Sequence, residues 1–124
     1  MSAAELGEPH VLFDNERDAP SPQQQPLMDV RSWRMLKSMS GQLHLVTFRD
    51  CDADRGVVRL TSAIVSIDLA ERTVITSSGR QYVLVVPPEP GAFERQVLWA
   101  GAARLGLLGA TDVSDWSWGQ MRDD

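Results

Sequence analysis

The 124 residues are 43% apolar, hold one cysteine and carry a net charge of −5, which suits one globular core and excludes a disulfide-stapled scaffold, since Cys51 has no partner. No run approaches the ~20 apolar residues of a membrane span, and the N-terminus lacks the basic-then-apolar order of a secretory leader. A cytoplasmic protein with no membrane partner is the expectation.

The charge is uneven along the chain. Residues 1–26 hold five acids against Arg17, residues 27–86 hold eight bases against six acids, and residues 87–124 hold six acids against three bases. A general nucleic-acid binder normally carries a basic excess; here a mildly basic centre has acidic ends.

Residues 1–26 read as an acidic flexible tail. Pro9, Pro20, Pro22, Pro26 and three glutamines at 23–25 leave little to bury against the entropy of ordering. Within it, Val11-Leu12-Phe13 is an apolar patch expected to dock on the core. Residues 27–124 read as a single β-rich domain.

Arms at 32–37 and 42–48 flank Ser38-Met39-Ser40-Gly41, where Gly41 can take the positive φ of a tight loop, so a β-hairpin is expected. A helix over 28–39 competes, because Val30, Trp33 and Leu36 recur every third residue. The alternation and the Val46-Thr47-Phe48 run of the second arm favour the strand reading. A turn follows at 50–56, then strands at 57–60 and 63–67 with Thr61-Ser62 as the corner between them. A turn at 68–72, a strand at 73–76, a loop at 77–79 and a strand at 80–86 complete the set, which the double proline 87–88 ends. Ile64, Ile67, Val74, Tyr82, Leu84 and Val86 are the expected core. The spacing predicts an α+β, β-rich fold: a small antiparallel sheet or half-barrel of five to six short strands, covered by one C-terminal helix. That helix is expected over about 90–105, with Pro90 in its first turn, Glu94 at its positive end and an apolar stripe through Phe93, Val97, Leu98 and Leu105. Beyond it, Trp116 and Trp118 would share one face if the segment is extended.

The chemistry-bearing residues are sparse. Asp50, Asp52 and Asp54 imitate the start of a calcium loop, but Arg55 stands where the loop needs glycine and Thr61 where it needs glutamate. His10, His44 and Cys51 lack the paired spacing of a zinc site. A Cys51 nucleophile would need His44 as its base, yet Asp50 and Asp52 flank it and would raise its pKa. No catalytic residue, metal or cofactor is therefore assigned, and a non-enzyme is expected.

Two binding readings remain. The first is a non-catalytic protein-interaction or regulatory domain, a small acidic inhibitor or accessory protein able to pair as a homodimer. Trp116 and Trp118 would be its aromatic anchors and the hairpin tip Ser78, Gly79, Arg80 and Tyr82 a second contact. By size and charge alone, this form is shared with phage inhibitors of nucleic-acid-processing machines such as anti-CRISPR proteins. The alternative is a small barrel that holds single-stranded nucleic acid on Arg31, Trp33, Arg34, Lys37 and Arg59 by stacking and phosphate contact.

Overall fold

A computed structural model describes residues 10–15, 27–52 and 55–122. The strands are β1 (His10–Asn15), β2 (Leu27–Val30), β3 (Trp33–Lys37), β4 (Leu43–Asp52), β5 (Arg55–Leu60), β6 (Ile64–Asp68), β7 (Thr73–Thr76), β8 (Gln81–Leu84) and β9 (Thr111–Asp112); the helices are α1 (Ala92–Arg104) and α2 (Ser114–Arg122). They form a five-stranded sheet in the order β1-β5-β4-β3-β9 and a four-stranded sheet in the order β2-β8-β7-β6.

The β3–β4 hairpin forms as expected, with Trp33 opposite Thr47 and Lys37 opposite Leu43. Gly41 takes φ 91° at its tip, a conformation that side chains with a Cβ rarely adopt. Strand β3 is buried on both faces. Trp33 and Met35 point between the sheets, into a core shared with Leu45, Val74, Tyr82 and Leu84. Leu36 points the other way, into a second core with Val46, Val58, Leu98 and Ala102 of α1. The order is thus helix, sheet, sheet. Gly101 lets α1 approach closely, since a Cβ there would lie 2.5 Å from Val58 Cγ1 and force the helix outward.

Thr61 makes the corner between the sheets. Its amide donates to Leu45 O at 2.9 Å, and its Oγ1 accepts the Leu45 N–H at 2.9 Å. The backbone groups freed where the chain leaves one sheet are thereby kept bonded.

Several expectations need correction. The chain forms two open sheets rather than one curled half-barrel, with more strands than five or six, and a second helix joins the first. The sheets are not wholly antiparallel: β1 runs parallel to β5 and β2 parallel to β8. Residues 10–15, placed in the tail by composition, form the β1 edge strand, and the expected docking of the apolar patch on the core is seen at Phe13, half-buried against the α1 core. A lone apolar tripeptide suffices because β5 supplies the ladder. The turn expected at 50–56 is shorter, since β4 runs to Asp52 and β5 starts at Arg55. Of the expected core, Val74, Tyr82 and Leu84 are fully buried, while Ile64, Ile67 and Val86 are half-buried.

Candidate functional site

The expected tryptophan pair is separated by the helix that carries it. Asp112 Oδ1 accepts the Ser114 N–H at 2.9 Å, an Asx turn that leads into α2. In a helix, residues two apart point to roughly opposite sides. Trp118 is accordingly only 8% exposed and belongs to the inter-sheet core. Its ring centroid lies 6.0 Å from that of Trp33, tilted by 53°, within the range of favourable aromatic pairs. The Arg72 guanidinium covers it at 4.7 Å. Trp116 is 69% exposed. One anchor therefore faces solvent, and the other holds α2 on the sheets.

The hairpin-tip group divides as well. Ser78 and Gly79 are exposed, but Tyr82 is fully buried and Arg80 is 2% exposed. Strand alternation explains this, because Arg80, Tyr82 and Leu84 are spaced by two and share the inward face of the chain through β8. Nε and Nη1 of Arg80 find no hydrogen-bond partner among the described residues. A charged group desolvated in this way is destabilising unless an anion meets it.

Of the nucleic-acid set, Arg31 and Lys37 are exposed, while Trp33, Arg34 and Arg59 are buried. Trp33 donates its Nε1 hydrogen to Val86 O at 3.0 Å, and Arg59 Nη1 lies 3.4 Å from Met28 Sδ. Arg34, 4% exposed, engages all three of its guanidinium nitrogens. It donates from Nε to Asp112 Oδ2 at 2.9 Å, from Nη2 to Asp112 Oδ1 at 3.1 Å and from Nη1 to Glu89 O at 3.1 Å. This fork is the strong, geometry-fixing form of a charge pair. Burial acts to raise the Asp112 pKa, but hydrogen bonds from Arg34 and Ser114 and the Arg34 charge outweigh it and hold the carboxyl below its ordinary 3.8. Asp115 approaches Arg34 at 3.7 Å but is itself largely exposed, a contact of little energetic consequence.

Sequence reasoning missed what this clamp organises. Arg34 ties β3 to β9 and to the loop before α1, and Ser32 Oγ donates to Glu89 Oε1 at 2.7 Å on the same loop. Beside the clamp lies a groove of about 580 Å³ lined by Ala92, Arg95, Gln96, Trp99, Ala100 and Asp112. Trp99 is 45% exposed and Phe93, on the same helix, 72%. The available signal was α1's own sequence. Phe93 and Trp99 lie six residues apart, a helical offset of about 120°; a helix with Leu98 and Ala102 on the sheet cannot bury both of them.

Among the described residues no group of three or more His, Cys, Asp or Glu side chains could hold a metal ion. Asp54 and the side chains of His10, Asp50, Cys51 and Asp52, which the calcium, zinc and thiol readings need, lie outside the described part. His44 is half-buried, its Nδ1 3.0 Å from Thr61 O. No described helix is long and apolar enough to cross a membrane. No protein-family description matches the chain, and comparisons with curated proteins and with solved structures find no match.

Proposed function

We propose that the protein is a non-catalytic interaction module that binds a protein partner through the aromatic side chains of its two helices. One observation carries the reading: Trp116, Trp99 and Phe93 stand exposed on α1 and α2, where Arg34 fixes Asp112 as a rigid polar wall of the groove beside Trp99. Exposed large aromatics, one of them beside an immobilised polar group, are the composition of interface hot spots, because little side-chain freedom remains to be lost on binding. Residues 87–124 hold six acids against three bases, so a partner with a basic rim is favoured over a second copy of the chain, which would meet like charge. The single-strand reading loses its stacking residue Trp33 and two of its cations, Arg34 and Arg59, to the interior.

Affinity capture from the source cell, with the wild type beside a Trp99→Ala/Trp116→Ala double variant, tests this. A partner enriched by the wild type and lost with the double variant is expected. Equal recovery of every protein by the two baits would overturn the reading.

A further inference from the structure

Independently of the helical face, the opposing strands β2 and β4 enclose a cleft with a cavity of about 300 Å³, at the lower end of the range for small-molecule sites. Met28, Val30 and Tyr82 provide apolar lining, Phe48 borders it although its side chain packs with the α1-side core, and Ser32, Thr47 and Tyr82 carry hydroxyls. Arg31 and Arg49, both exposed, line the same cleft. Asp29 is the one acid among the lining residues, so the lining carries net positive charge.

Two further arginines lie on the inward side of the two sheets. The Arg59 guanidinium reaches Met28 Sδ, and Arg80 shares the inward face of the chain with Tyr82, its Nε and Nη1 finding no partner among the described residues. A cation entering this space would meet repulsion from the Arg31 and Arg49 rim. A neutral apolar molecule would leave the field unused. An anion with an apolar tail satisfies both parts, because its tail can lie against the Met28 side of the cleft while its head meets Arg31 and Arg49 at the rim.

We propose that this cleft is a binding site for a small amphiphilic anion, a carboxylate on a short apolar tail. The tail displaces water from the apolar walls, and Arg31 and Arg49 hold the head by charge-assisted hydrogen bonds. The reading concerns a different surface from the aromatic one, so either can fail alone.

Calorimetric titration of the full chain with octanoate, 1-octanol and acetate tests it. Octanoate is expected to bind, 1-octanol to bind about tenfold more weakly and acetate not to bind, since charge and tail are both required. An Arg31→Gln/Arg49→Gln variant, altered only at exposed positions, is expected to lose about tenfold for octanoate and nothing for 1-octanol. No heat with octanoate up to about 5 mM would overturn the proposal. So would 1-octanol binding as tightly as octanoate, or wild-type octanoate affinity in the double variant.

Discussion

Arg34 and Arg80 are buried to nearly the same degree, 4% and 2% exposed, yet their surroundings differ in kind. Arg34 uses Nε and both terminal nitrogens, holding β9 and the loop before α1 against β3. Nε and Nη1 of Arg80 are unused among the described residues. The first is a structural clamp whose desolvation is offset by a fork of hydrogen bonds. The second adds positive field to the space between the sheets without tying elements together. Burial of an arginine therefore does not reveal its role; the count of engaged nitrogens does.

Between the two arginines, the larger expected effect comes from breaking the Arg34 clamp. Asp112→Ala leaves Arg34 buried without its carboxylate and is expected to lower stability by about 3 kcal/mol, read by urea unfolding. A change under about 0.5 kcal/mol would place Arg34 with the weak surface pairs.

Next in size is the acid limb of stability. The folded Asp112 carboxyl titrates below its ordinary value, so its contribution is complete above about pH 4 and is lost as pH falls through the lowered value. Asp112→Asn should flatten the part of a stability–pH profile that falls below about pH 4. An unchanged acid limb in the variant would assign the effect to other carboxylates.

The smallest effect comes from the other arginine. Arg80→Met removes an unsatisfied charge but keeps the volume, so stability should stay level or rise by about 1 kcal/mol. A loss above about 2 kcal/mol would mean that Arg80 has a partner of the Arg34 kind.

The parts of the fold legible in the sequence are those whose cause is local. The β3–β4 hairpin announces itself through Gly41 and the alternation in 42–48. Helix α1 announces itself through Glu94 in its first turn and the Val97, Leu98 and Leu105 part of its apolar stripe, while Phe93, expected on that stripe, faces solvent. The corner at Thr61-Ser62 is legible because short hydroxyl residues can satisfy the backbone groups a sheet-to-sheet step frees. Strands β1 and β2 were not legible, since each pairs in parallel with a strand more than forty residues away. No local pattern encodes such a partner. Helix α2 was missed because Trp116 and Trp118 suit a strand equally well, and the Asp112–Ser114 turn that starts the helix lies just before them. Two of the three arginines proposed for the single strand were misplaced for one reason: alternation fixes which side of a strand a residue takes, but not that both sides of the β3 sheet are covered. Arg34 and Arg59 occupy opposite faces of one sheet and are buried on both.

The tryptophans of α2 give the most direct test of how burial selects the interaction surface. Urea unfolding of Trp116→Ala and Trp118→Ala measured side by side should give a loss within about 0.5 kcal/mol for the first and about 3–5 kcal/mol for the second. Equal losses for the two would contradict a helix that turns one ring to solvent and the other onto Trp33.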